Sequence, residues 1–546
     1  MNKKADLIIF PIVIFLLFLA LGSTYTILDN DLFSRLIMGK SVVASGEPMF
    51  LDVVSYTKTN TWFDHEWLLS GFFYVIATTF GVVGLTVLKA LFFTLCALFL
   101  ALAVKEYNKN QNPLNLFLYL LLAVELVLSQ VINSTVRCQL FTFAILPLWI
   151  FLCEKIRNDE KNSLKYAISI PFIMVLWLNC HGAALAGLGM LLLYAIGQVL
   201  NRKPSKTYFI LFFICSLCFL INPWGLEYIS FMISTCSVDR SYIGEWQTPF
   251  GPLVINLDIY KATFFAVILA FLYKAGRIIF KATKKDFEEL KNVDFVKVLM
   301  ILPVLFLSAK YIKHVHLFLI VVFIFMYGDF YNFYNFIVQK IQNSFKILYK
   351  KVFKKDFELG FEFDKKFFDL IKKTTIYSIV AVFSIALLAM NPIKEKAWKE
   401  FYRSYPVNVL NFLKINHIKG KTLAPYYLSG YLAYKGYPDI KIFMDGRQEE
   451  LYPQEYIFMS MDFFSLSGRN PFYIIEHFRP EIIVTENSWP LANEEMLLSR
   501  FGYRIAYQDK GFTVFLSQEK QKFSYFAPKD VTIDYFKTLF DTKILD

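Results

Sequence analysis

The sequence predicts a polytopic α-helical membrane protein with a small extracytoplasmic α/β domain at its C-terminal end. Three observations predict it. Of 546 residues, 56% are hydrophobic and 18% aromatic, more than a chain of soluble domains of this length would carry. Apolar runs recur at lengths that suit membrane-crossing helices. After residue 391 the pattern changes to short β-rich runs alternating with helical segments, the mark of a small α/β sheet.

Taken in order, residues 7–28 form the first span. Met1-Asn2-Lys3-Lys4 and the run behind it resemble a signal peptide, but no small-residue cleavage site stands before Asp29, so this is read as a retained helix. Lys3 and Lys4 place the N-terminus in the cytoplasm and the loop 28–84 outside. Residues 67–80 are short for a crossing and are followed by Gly81 and Gly84, which predicts a juxtamembrane helix; the first return span is then 85–104. This phase leaves the loops 105–109, 154–165, 202–206, 274–297 and 329–373 inside, and these carry the lysine and arginine excess. The opposite phase would export every one of them.

The remaining spans are 114–129, 139–153, 166–179, 183–200, 207–222, 262–280, 296–309, 316–328 and 374–390. That makes about eleven crossings, several short enough to be tilted, broken or partly inserted. Phe and Tyr alternate with Lys in the loop 329–373, which predicts an interfacial amphipathic helix on an anionic inner leaflet. Beyond residue 391, strands are expected at 421–425, 440–444, 481–485, 503–508 and 512–516, with helices at 407–415 and 494–501. The division is therefore a membrane domain, 1–390, and an extracytoplasmic α/β domain, 391–546, in a multi-pass protein of the plasma (inner) membrane.

The formal net charge of +12 sits in loops that face one side, so it reports topology and argues against nucleic acid as a partner. Seven cysteines occur and none follows Cys236; Cys215 and Cys218 lie in an apolar run without histidine or carboxylate company. Neither a disulfide framework nor a cysteine metal site is implied.

With this topology the polar outliers gather at the outer ends. They are Asp29 and Asp31, the run Asp64-His65-Glu66, Arg137, Asn179 and His181, Glu245, and Lys310, Lys313, His314 and His316. Ionisable groups at a membrane edge are a functional-site hypothesis by default. Carboxylates, histidines and cations on one face are what an anionic substrate needs. Each has a plainer reading beside it. The two aspartates would stop a helix at the water interface, Asn179 and His181 would cap a helix turn, and Arg137 would snorkel. Read as one extended i, i+2 pair, Asp29 and Asp31 face the same way and would share a hard cation such as Mg²⁺ or Mn²⁺.

The run Asp29-x-Asp31, Gly39, Gly46-x-Pro48, Asp52, Ser55-Tyr56-Thr57, Trp62, His65-Glu66-Trp67-Leu68 resembles a family of bacterial membrane proteins of GT-C glycosyltransferase architecture. So do Trp177-x-Asn179-x-His181-Gly182, Asn222-Pro223-x-Gly225, Glu245-Trp246, Ser429-Gly430-Tyr431-Leu432, Phe443-x-Asp445-Gly446-Arg447 and Tyr452. The resemblance covers nearly the whole chain, through short motifs in a specific order. It implies sugar transfer, with inversion, from a polyprenyl-phosphate-linked donor to an envelope glycan, lipid or protein acceptor. Counted back from Gly46, Asp31 stands where related enzymes place an essential aspartate, which makes it the implied base and Asp29 its partner. Arg137, Lys310 and Lys313 are then implied for phosphate, and His65, Glu66, Asn179, His181 and Glu245 for the rest of the substrate. Cys138 stands where the family commonly has proline and Lys310 where it has arginine; the second weakens any bidentate clamp on phosphate.

Two other classes compete. A solute or lipid transporter would line a path with Arg137 and the histidines, but no internal repeat or matched pair of broken helices supports it. A non-catalytic GT-C-like scaffold would use the C-terminal domain to bind glycans and would ask nothing of Asp31.

Overall fold

The computed structural model describes residues 3–24, 28–109, 136–159, 161–235, 238, 240–251, 258–353 and 365–540. The chain is mainly helical, with a five-stranded sheet near its end. Five helices are long and apolar enough to cross a membrane, or six if Thr374–Met390 and Ile393–Ser404, bent by 49°, form one broken span. Shorter apolar helices occupy Ile9–Ser23, Ala184–Leu200 and Lys206–Cys218. The expected span 114–129 lies outside the described residues. Leu269 and Leu272, on the helix Asp258–Thr283, and Val382 and Ile385, on Lys365–Met390, are each about 60% exposed or more. Helices that turn such side chains outward need a non-aqueous solvent.

Helix α1 (Lys3–Thr24) leads into α2 (Asn30–Ser45), which Asp29 caps by accepting a hydrogen bond from the Leu32 amide. The expected extended pair is therefore corrected: Asp29 is the cap and Asp31 lies in the first helical turn. Both still reach one partner, described below. Gly46 ends α2 in the left-handed region, φ 76°, returning its amide to the Val42 carbonyl. Helix α3 (Trp67–Tyr107) is 41 residues long, about twice a bilayer's hydrocarbon thickness at 1.5 Å per residue. It breaks at Gly81, φ 61° and ψ −152°, so residues 67–80 and 82–107 are separate rods, as the short first segment predicts. The loop expected at 329–373 is different. Val315–Phe353 is one helix that runs on through its first half, so no separate interfacial helix begins at 329.

At the end of the molecule opposite Asp31, Arg157 forms a bidentate pair with Asp294 at 2.8 and 2.9 Å. Tyr107 and Asn201 also donate to Asp294. This network ties four helical segments together where the sequence suggests only solvated lysines.

The sheet runs β2-β1-β3-β5-β4, from β1 (Gly420–Leu423), β2 (Ile440–Ile442), β3 (Ile482–Glu486), β4 (Tyr503–Gln508) and β5 (Phe512–Ser517). β1 is parallel to β2 and β3; β5 is antiparallel to β3 and β4. The first loop adds to its edge: Tyr56 donates to the Ile442 carbonyl at 3.0 Å and Ile442 to that of Val54 at 3.1 Å. Helix α2 is held from the same side. Phe33, fully buried, meets Tyr405 edge-on at 5.1 Å and Tyr431 at 5.3 Å. Burial of one such ring is worth about 2–3 kcal/mol.

The loop charges set an orientation that cysteine labelling checks. Ser45, Ser467 and Ser344 are exposed, and the six cysteines among the described residues are buried, so the test starts from a chain in which Cys236 is replaced by serine. In intact cells with a permeable outer layer, a membrane-impermeant thiol reagent should label S45C and S467C and spare S344C. The reverse pattern would turn the site to the cytosol.

Candidate functional site

The start of α2 holds the centre of the site. Arg137, just before the helix Gln139–Asn158, reaches three carboxylates: Nε to Asp29 Oδ2 at 2.6 Å, Nη2 to Asp31 Oδ2 at 3.0 Å and Nη1 to Glu245 Oε2 at 3.2 Å. Both aspartates and Glu245 thus converge as the sequence suggests, but the guanidinium is committed to them and is not an open phosphate clamp. It also stands where a divalent ion would. Among the described residues no group of three or more His, Cys, Asp or Glu side chains is arranged for a metal. As arranged, the carboxylates do not fit Mg²⁺ or Mn²⁺ unless Arg137 leaves.

Asp29 is the closed member of the set at 12% exposed, while Glu245 at 36% and Asp31 at 39% are both open; of the two aspartates at the start of α2 it is Asp31 that solvent reaches. Burial of Asp31's surroundings lifts its carboxyl to about 6; Arg137 pulls it back, while Asp29 and Glu245 push it further up. The other oxygen of Asp31 faces Gly446, where a Cβ would lie 2.7 Å from Oδ1. Beside that glycine, Asp445 accepts from Ser34 of α2 at 3.1 Å, and Arg447 pairs with Asp445 at 2.8 Å and with Asp52 at 3.1 Å. The Asp445-Gly446-Arg447 turn therefore packs on the helix that carries Asp31.

A second layer lies next to it. Arg35, one turn on from Asp31, pairs with Asp64 at 2.8 Å and Glu66 at 3.0 Å. Buried Trp62 has two cations against its ring, Arg35 at 5.9 Å and Arg447 at 5.5 Å from its centre. Burial raises Glu66, but Arg35 and the two histidines overcome it and hold the carboxyl near 2. His181 is the reverse: burial lowers it to about 4 against the pull of Glu66, so it is neutral at ordinary pH. Its Nδ1 is 2.8 Å from the Thr142 hydroxyl, which also accepts from Trp177 at 2.8 Å. Asn179 accepts from Trp67 and donates to the Val175 and Ile221 carbonyls. His65 lies 3.8 Å from both Glu66 and Glu450. Asn179 and His181 thus anchor α3 and its neighbours, one layer behind Asp31.

The expected lysines gather around Trp246, next to Glu245. The Lys313 ammonium sits 3.6 Å from the Trp246 ring centre, and Lys310 sits over Tyr311 at 4.9 Å. Arg240, which sequence reasoning passed over, covers Trp246 at 4.8 Å. One signal was available: it is the only basic residue between Lys206 and Lys261. Arg447 stands in the sequence as a motif letter without a role, because Asp52 and Trp62 are far away in sequence.

No family model matches the chain and no curated protein matches it. Solved structures that resemble it include three, each at 10% identity. The Archaeoglobus fulgidus oligosaccharyltransferase in the apo form has a TM-score of 0.48, covering 89% of this chain and 70% of that one. The oligosaccharyltransferase AglB of the same organism, in complex with an inhibitory peptide and a dolichol-phosphate, gives 0.49, with 86% and 69% covered. ArnT from Cupriavidus metallidurans, bound to undecaprenyl phosphate, gives 0.46, with 94% and 98% covered. All three are GT-C-type glycosyltransferases. A likeness of this degree assigns no role to any residue of this chain.

Proposed function

We propose that the chain is a GT-C-type membrane glycosyltransferase. It moves a sugar from a polyprenyl-phosphate donor to a hydroxyl of an envelope glycan, lipid or protein acceptor at the outer face of the membrane. The observation that carries this reading is Asp31: an open carboxylate with a raised proton affinity, fixed between Arg137 and Gly446 and joined through Arg137 to Glu245, the chain neighbour of Trp246 in a basic, aromatic cluster.

In the proposed step the acceptor oxygen bonds to the anomeric carbon as the carbon–oxygen bond to phosphate breaks. The acceptor's proton passes to Asp31, and the departing phosphate takes up the electron pair. Attack opposite the leaving group inverts the centre. Lys310 and Lys313 meet the phosphate's charge, with Arg240 beside them on Trp246. Arg137 holds Asp31 in place and offsets Asp29 and Glu245, which would otherwise keep Asp31 protonated. A Mg²⁺ or Mn²⁺ ion would enter only by displacing that guanidinium.

The raised proton affinity gives a pH test. A base works only when ionised, so turnover should fall about tenfold per pH unit below about 6 and level off above it. The measurement is initial rate against pH with membranes or purified protein and a polyprenyl-phosphate sugar. A rate that stays flat down to about pH 5 would remove Asp31 from the proton transfer.

A further inference from the structure

A cavity of about 510 Å³ opens beside Asp29, between the start of α2, the end of the helix Ile393–Ser404 and the loops after β3 and β4. Its walls mix two kinds of chemistry. The first suits hydroxyl groups. Glu486 accepts from the hydroxyls of Tyr427 at 3.1 Å and Ser488 at 3.3 Å, and Trp489 fixes Tyr427 by donating to its oxygen at 2.8 Å. Asn487 is pinned through its amide to the Gly511 carbonyl at 2.9 Å, so the two loops form one firm wall. The Asn487 side chain is itself engaged, donating to the Asp509 carbonyl at 2.8 Å and accepting from Thr513 at 2.7 Å, so the Glu486 carboxylate, held by two hydroxyls, is this wall's acceptor for saccharide hydroxyls.

The second kind is positive charge. Arg403 and Lys510 both line the cavity, both are exposed, and among the described residues neither is ion-paired. The negative groups facing them are few. Asp29 is already answered by Arg137 at 2.6 Å, which leaves Glu486 as the one lining carboxylate without a cation partner among the described residues. Two unpaired cations against one carboxylate favour a ligand that brings negative charge of its own.

We propose that this cavity is the acceptor subsite and that its ligand is an acidic saccharide, one whose units carry a carboxylate or a phosphate. The assignment rests on the glycosyl-transfer reading above and names its acceptor class. Asp29 is a wall of the cavity; Asp31 lies just outside it, two residues on, and shares Arg137 with Asp29. A saccharide that extends from the cavity past Asp29 would bring a hydroxyl to the carboxylate that takes its proton, while Arg403 and Lys510 hold its anionic substituent.

The test is binding without donor, on the full-length protein in nanodiscs. The probes are a galacturonic acid tetramer, a glycerol-phosphate oligomer and a neutral galactose tetramer. At least one acidic probe should bind about tenfold tighter than the neutral one or better, and the arm that does so tells carboxylate from phosphate. Arg403→Gln with Lys510→Gln should abolish that preference and leave neutral binding as it was; both side chains are exposed, so the fold is not at stake. Asp31→Asn should keep the acidic preference, because Arg403 and Lys510, not the base, supply it. Equal affinity for acidic and neutral probes, or a preference that survives the double substitution, overturns the subsite while leaving catalysis by Asp31 standing. Conversely, a fully active Asp31→Asn with an intact acidic preference would sink the catalytic reading and keep the binding site.

Discussion

Asp31→Asn should lower turnover by about 10²–10⁴-fold, the range for losing a general base, with expression and membrane insertion unchanged. Asparagine keeps the size and most of the hydrogen bonding but cannot take the proton. The structure explains why the fold should tolerate it: Arg137 keeps Asp29 at 2.6 Å and Glu245 at 3.2 Å after Asp31's charge is gone. Asp29→Asn is the informative companion, because asparagine is as good a helix N-cap as aspartate and only the charge is removed. Asp29 helps hold Asp31's proton affinity up, so its neutralisation should move the rising limb of the pH profile to lower pH at a smaller cost in rate. An obligatory divalent ion predicts otherwise: Asp29→Asn as severe as Asp31→Asn, with partial rescue by millimolar Mg²⁺ or Mn²⁺. The readout is the envelope glycan that differs between wild type and a deletion strain. Full restoration of that glycan by Asp31→Asn would favour the non-catalytic scaffold.

What could be read from the sequence was local, or followed from counting. The five strands show as short β-branched runs, and the break at Gly81 follows from a segment too short to cross followed by two glycines. Loop charge was enough to bring Asp29, Asp31, Arg137 and Glu245 to one end. Their mutual geometry was not legible: Arg137 is 108 residues from both Asp29 and Glu245, and no spacing rule connects them. A still longer separation in sequence hides Arg447 against Asp52 and Trp62. The edge pairing of residues 54–56 with Ile442 is too short to show as a strand. The length of the helix Val315–Phe353 is hidden in the sequence because its pattern turns from apolar to amphipathic near Asp329, which looks like an ending. No proline interrupts it and Gly328 alone does not break it, so the backbone continues. Arg403 and Lys510 lie on exposed positions with no local signal, and only the fold makes them neighbours of Asp29.

Gly446→Ala is expected to cost about 10–10² in turnover with almost no loss of stability, although this residue is far from the membrane helices in sequence. The added Cβ would stand 2.7 Å from Asp31 Oδ1, closer than real contacts allow, so one of the two must move. The carboxylate is the end of a side chain and gives way more easily than the turn, which Arg447 and Asp445 pin from both sides. Folding should therefore change little, while the candidate base shifts by the better part of an ångström. A displacement of about 1 Å at a reacting group is enough for a loss of about 10²-fold. A general loosening of the C-terminal region would also reduce activity, so the decisive measurement is a double-mutant cycle. If Gly446 acts by positioning Asp31, then Gly446→Ala should do no further harm once Asp31 is asparagine, and its melting temperature should stay within a degree or two of wild type. Independent, additive losses in the double variant would show that the glycine matters for some other reason. Wild-type turnover in Gly446→Ala would show that the turn does not seat the base at all.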